Sequence, residues 1–117
     1  VRLAITGGAA ATSALFSIAD IGNENELIGV EMSTGWTAAA ISFRVSMDGT
    51  NFFDLFDDGG TEVSLTVAAS RIIGFRSDIR SSLRPWKYIQ LRSGLTGAPV
   101  NQAAARSLFL MVTTRTG

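Results

Sequence analysis

Cysteine and histidine are missing from the 117-residue chain, proline occurs twice, and only one of its ten basic residues is a lysine. Without a thiol or an imidazole there is no cysteine nucleophile, no Ser-His-Asp triad, no ordinary zinc site and no disulfide framework. The fold must rest on its own core or on neighbouring subunits. No apolar run approaches the roughly 18 residues that span a bilayer, and no signal-peptide pattern opens the chain. The expectation is one soluble domain across residues 1–117, with no membrane partner and no catalytic role.

The formal net charge is zero, but the signs are segregated. Residues 1–62 hold nine acids and two bases, residues 63–117 eight bases and one acid, so the halves carry −7 and +7. Either the halves interleave in space, or the molecule is dipolar and meets a neighbour through complementary patches. Nucleic acid is not expected, because a near-neutral chain lacks the positive field that duplex binding uses. Nine of the ten bases are arginines, whose planar fork suits pairing with carboxylates.

Period-two alternation dominates what is present. Ile41, Phe43, Val45 and Met47 alternate with Ser42, Arg44 and Ser46, and Val63, Leu65 and Val67 with Ser64 and Thr66. Both runs read as half-buried strands. Further strands are expected at Ala14–Ala19, Glu26–Ser33, Asn51–Asp57, Arg71–Phe75, Trp86–Ser93 and Ser107–Thr114. The last is apolar on both faces, as a central strand or one covered by a partner would be. Asp48-Gly49 and Asp58-Gly59-Gly60 supply tight turns, and Gly94 through Pro99 reads as a loop. One short helix fits Ser77–Leu83, capped by Ser77 and stopped before Pro85. The pattern predicts an all-β, single-domain antiparallel sandwich or jelly roll with little helix. Residues 1–12 join a short apolar strand to a Gly/Ala stretch, suited to an edge strand or to an N-terminal arm reaching a neighbour.

Several side chains are candidates for chemistry or contact. Asp54, Asp57, Asp58 and Glu62 lie close enough in sequence to hold a hard cation such as calcium, although the same residues suit a solvated hairpin turn. No other cofactor is indicated. Trp36, Trp86 and Tyr88 would form an aromatic platform for a sugar ring, or else pack as core and interface anchors. Arg76, Arg80 and Arg84 recur every four residues, which lines one face of a short helix with a basic contact patch or scatters bases over a loop. The residues expected at a partner interface are Val1, Leu3 and Ile5 of the arm, this arginine series, and Trp86 with Tyr88.

Two longer patterns carry a family resemblance. Ser46-Met47-Asp48-Gly49-Thr50-Asn51-Phe52 after a strand, with Trp86-Lys87-Tyr88-Ile89-Gln90-Leu91-Arg92 later, resembles the galactose-binding-like, discoidin-type jelly rolls. Some of those hold a structural calcium. Gly35–Phe43, the Asp48-Gly49 turn, Asp54–Asp58 and Arg92–Ala104 together resemble small structural proteins of tailed bacteriophages. That second resemblance implies a virion location, a capsid decoration (cement) role, and as partners the major capsid protein and further copies of the chain, a trimer around a local three-fold being one such arrangement. The alternative is a carbohydrate-binding tail or baseplate protein that uses Trp36 or Trp86 against host glycans.

Overall fold

The computed structural model describes residues 2–8, 14–22 and 25–114. Where Ile41, Phe43 and Val45 alternate with polar residues, the chain forms a central strand with those three side chains in the core. In chain order the described elements are β1 (Arg2–Gly7), β2 (Ala19–Asp20), β3 (Asn25–Glu31), β4 (Ile41–Ser46), β5 (Phe53–Asp54), β6 (Ser64–Leu65), β7 (Ile72–Gly74), α1 (Ser77–Leu83), β8 (Tyr88–Leu95), β9 (Ala98–Pro99) and β10 (Arg106–Thr114). They form two sheets, ordered β1-β10-β3-β7 and β2-β8-β4-β5, with β6 also paired to β4 and β9 to β8.

Every pairing is antiparallel. Setting aside the two-residue strands β6 and β9, the chain crosses between sheets at each step except β4 to β5. That order is jelly-roll connectivity, two interlocked Greek keys closed into a sandwich. The all-β expectation holds.

The core fills the space between the sheets. Leu27, Val30, Leu108 and Leu110 come from one sheet, and Ile41, Phe43, Ile89 and Leu91 from the other. Phe16 and Trp36 stack with ring centroids 6.1 Å apart, and Phe75 meets Phe43 edge-on at 6.2 Å. Ile79 and Leu83 of α1 are also buried in this core. Burying side chains of this size stabilises the fold by about 1.5–3 kcal/mol each.

Four expectations are corrected. Trp86 precedes its strand: it sits in the turn after α1, its backbone N–H donating to Leu83 and its indole N–H to the Ser82 carbonyl at 2.9 Å. The strand itself is shifted two residues toward the C-terminus. Gly94 through Pro99 is a hairpin rather than a loop, with Gly94 opposite Pro99 and Leu95 opposite Ala98. Gly94 makes it possible, at φ +91° and with no room for a Cβ, which would lie 2.6 Å from the Ala98 oxygen. The helix ends as expected, but Ser77 is its first turn rather than its cap; Arg76 takes the cap position and no side chain bonds the free N–H groups. Finally, Ala14–Ala19 is no continuous strand. Leu15 bridges to Arg92 in one sheet and Phe16 to Gly7 in the other, so this segment straps the two layers at a corner.

The N-terminal segment folds onto its own domain. β1 pairs with β10 from Arg2 opposite Met111 to Gly7 opposite Arg106. Of its inward side chains, Ile5 lies in the core and Leu3, half-buried, packs against it. Alternation turns both toward the other sheet, which buries Ile5 and leaves Leu3 beside Ile21 and Val112. Val1 and residues 9–12 lie outside the described residues.

Candidate docking site

Charge is dealt with inside the chain. Arg92 points from β8 to the outer side of its sheet yet is only 9% exposed. Its guanidinium bonds Asp54, Glu62 at 3.3 Å and the Ser42 hydroxyl at 3.2 Å. Thr96 at the β8–β9 turn closes the cluster, its N–H donating to Glu62 and its hydroxyl to Asp54 at 2.7 Å. Burial alone would raise the Asp54 carboxyl, but Arg92, Thr96 and the more distant Arg44 outweigh it and hold it below the usual carboxylate range.

A second cluster ties α1 to β3. Glu26, only 6% exposed, accepts from Arg80 at 3.2 Å and Arg84 at 3.0 Å. Arg76 meets Asp78 at 2.8 Å on the surface. The helical spacing of Arg80 and Arg84 is therefore real, but it serves a buried glutamate of the same chain. Arg80, Arg84 and Arg92 come from the basic half, and Glu26, Asp54 and Glu62 from the acidic half. The interlocked topology brings the segregated charges together.

These arginines hold the Glu26 carboxyl below its ordinary value of 4.5, the hydrogen bonds from Arg84 and Arg80 outweighing desolvation. A depressed carboxylate contributes stability in full above its unfolded pKa and loses it as pH falls through the folded one. Glu26→Gln should therefore cost about 1–2 kcal/mol at neutral pH, discounted because both arginines are partly solvated. The variant should also lose part of the wild type's decline in stability below about pH 4.5, read by urea unfolding across the acid range.

The proposed calcium ligands do not meet. Asp54 is turned to Arg92 and Thr96, while Asp57 caps its own turn by accepting from the N–H groups of Gly59 and Thr61, both at 2.9 Å. Asp58 stays exposed in that turn. Among the described residues no group of three or more acidic side chains is placed to hold a metal ion.

The aromatic candidates separate as well. Trp36 is buried, stacked on Phe16, with its indole N–H donating to the Ala39 carbonyl at 3.1 Å. It is core, not platform. Tyr88 lies outward on β8 and covers the Asp48-Gly49 turn, where a Cβ on Gly49 would lie 3.1 Å from its ring. Trp86 packs against the core on its inner side and lines a cleft on its outer side.

That cleft is the strongest candidate for contact. Val45, Met47, Phe53 and Trp86 give it an apolar lining, Ser46, Asp48 and Asn51 a polar rim, and its volume is about 300 Å³. Met47 and Phe53 are 61% and 69% exposed. The alternation places Met47 inward, but β4 ends at Ser46, so Met47 emerges on the turn instead.

The rim is rigid. Asp48 Oδ1 accepts from the N–H groups of Thr50 and Asn51 and from the Ser46 hydroxyl, and Oδ2 from the Asn51 amide at 2.8 Å. These bonds, led by the backbone of Asn51 and Thr50, hold the Asp48 carboxyl far below its ordinary range, so it stays ionised. The arrangement offers preformed apolar contact beside one fixed negative charge.

Comparison with protein-family models, curated proteins and solved structures finds no match to this chain.

Proposed function

We propose that this protein is a non-enzymatic assembly component: a virion structural protein of a tailed bacteriophage, acting as a capsid decoration protein that binds the major capsid protein on the outer shell and associates with further copies of itself. One observation carries the docking role. Around the cleft the polar groups are already satisfied within the chain, while Met47, Phe53 and Trp86 keep apolar surface open to solvent. Covering such side chains contributes about 1.5–3 kcal/mol apiece when burial is complete. The choice of shell as partner rests on the motif resemblance over Gly35–Phe43, Asp54–Asp58 and Arg92–Ala104.

The mechanism is mass action. A subunit that binds only the assembled lattice lowers its free energy relative to the dissociated one. Linked copies add avidity without any new contact. Quantitative mass spectrometry of purified particles tests the location: copies in proportion to capsid subunits support decoration, and a handful moves the protein to the tail. Particles lacking it should lose resistance to heat and low salt; unchanged resistance would overturn the cement role.

Trp86 at the cleft keeps one observation in favour of glycan contact, although the burial of Trp36 removes the paired platform. A glycan array with wild type and Phe53→Ser separates the two. Sugar binding lost in the variant favours glycans, and silence with retained shell binding favours assembly.

A further inference from the structure

Aspartate is followed by glycine twice in the chain, at Asp48-Gly49 and at Asp58-Gly59. In such a pair the glycine amide nitrogen can attack the aspartate Cγ and close a five-membered imide ring. Glycine permits the approach because it has no Cβ in the way. The two pairs differ in each feature that governs this attack.

At Asp48 both reacting groups are engaged elsewhere. Its Oδ1 accepts from the N–H groups of Thr50 and Asn51 and from the Ser46 hydroxyl, and its Oδ2 from the Asn51 amide. The Gly49 N–H donates to the Ser46 hydroxyl at 2.9 Å, and the Tyr88 ring covers Gly49. Turning the carboxyl onto the Gly49 nitrogen would break all of these bonds. They also favour the ionised carboxylate, which has no hydroxyl to release as water.

At Asp58 nothing restrains either group. The side chain is exposed in the turn, and its carboxyl makes no hydrogen bond or ion pair among the described residues. Arg76 and Asp78, across the groove that this turn shares with α1, are paired with each other at 2.8 Å. Gly59 is open, since an added Cβ would meet only Asp57 Oδ1, at 3.4 Å. The Gly59 N–H donates to that same oxygen at 2.9 Å. A carboxylate base therefore already sits on the proton that the attack must remove.

We infer that Asp58-Gly59 is a site of spontaneous backbone modification, where the folded chain forms isoaspartate with Asp57 as proton acceptor. The inference is independent of the cleft and of what the cleft binds. The Gly59 nitrogen bonds to Cγ of the protonated Asp58 carboxyl, and its proton passes through Asp57 to the departing hydroxyl, which leaves as water. Water then adds to one of the two imide carbonyls. Breaking the bond from nitrogen to Cγ restores aspartate. Breaking the bond from nitrogen to the main-chain carbonyl carbon leaves isoaspartate, with one more methylene in the backbone, an unchanged mass and no change of oxidation state. The Gly60 and Thr61 N–H bonds to Asp57 span the altered link and must re-form, whereas the Phe56–Glu62 bridge lies outside it.

Peptide mapping of the full chain, after weeks at physiological temperature and mildly acidic pH in heavy-oxygen water, tests this. Fragmentation that distinguishes the two isomers, with labelling by isoaspartyl methyltransferase, reads the product. Isoaspartate carrying one heavy oxygen should accumulate at residue 58 at least tenfold faster than at residue 48. In urea the two sites should react at comparable rates, since the bonds that shield Asp48 are then gone. Asp58→Glu keeps the charge but not the ring size, and should abolish the methyltransferase signal. Asp57→Asn keeps an acceptor for the turn but not the base, and should slow the reaction several-fold. No product at residue 58, equal rates at both sites in the folded chain, a residue 48 still inert in urea, or a signal that survives Asp58→Glu would each overturn the inference. An unchanged rate in Asp57→Asn would overturn the role given to Asp57.

Discussion

Arg92→Met lowers the free energy of unfolding by about 3 kcal/mol, the lower end of what removing one member of a buried ionic cluster costs. Methionine fills most of the volume, so the loss is electrostatic. Asp54 and Glu62 would be left facing each other and the Ser42 hydroxyl without a cation between them. Partial exposure of Asp54, at 34%, keeps the figure from the upper end of that range. The damage spreads beyond one contact, because the cluster joins β4, β5, β8 and the Thr96 turn. Urea denaturation at neutral pH measures it.

The sign of the pH dependence is a second check. In the wild type the Asp54 carboxyl is depressed, so its contribution is complete above its unfolded pKa and fades as pH falls through the folded one. Without Arg92, only Thr96 and the more distant Arg44 oppose desolvation, so that carboxyl rises relative to the wild type. Protonation then relieves repulsion, so the gap between variant and wild type narrows in acid. Adding Asp54→Asn to Arg92→Met should restore part of the loss.

Gln102→Leu is the second large effect, on the order of 3 kcal/mol from several buried groups stripped of partners. Gln102 is buried in the loop before β10. Its side-chain oxygen accepts from the Thr37 N–H at 2.6 Å, and its amide donates to the Thr37 carbonyl at 3.1 Å and to the Ser93 hydroxyl at 2.8 Å. Its backbone N–H also reaches the Gly8 carbonyl, so one residue ties the β1 exit, the Trp36 loop and β8 together. Leucine matches the size and removes every side-chain bond. Gln102→Glu retains an acceptor but loses the amide donor, and should fall between the two.

The fold was legible wherever polar and apolar residues alternate, since one face had to be covered. β4 follows from that alone, whereas β10 was read from a run that is apolar on both faces and β8 was placed two residues too early. Of the two readings its apolar faces allowed, β10 takes the central position between β1 and β3, with Phe109 and Met111 on its outer side. The charge clusters were not legible. Glu26 and Arg80 are 54 residues apart, Asp54 and Arg92 are 38 apart, and only the interlocked connectivity brings them together. Gln102 gave no signal, because an amide in a loop is ordinary until its partners are known. Trp36 and Trp86 carry the same side chain and opposite fates, decided by the Phe16 stack in one case and by the helix-exit turn in the other. Met47 was misplaced by one residue of strand length.

Docking through the cleft is the claim on which the functional reading turns, and co-sedimentation with shells stripped of the protein tests it directly. The wild type should pellet with the shells and saturate, and Phe53→Asp with Met47→Ser should lose at least tenfold in affinity while unfolding at an unchanged midpoint. A folded wild type that stays in the supernatant, or a variant that pellets as well as the wild type, would contradict it.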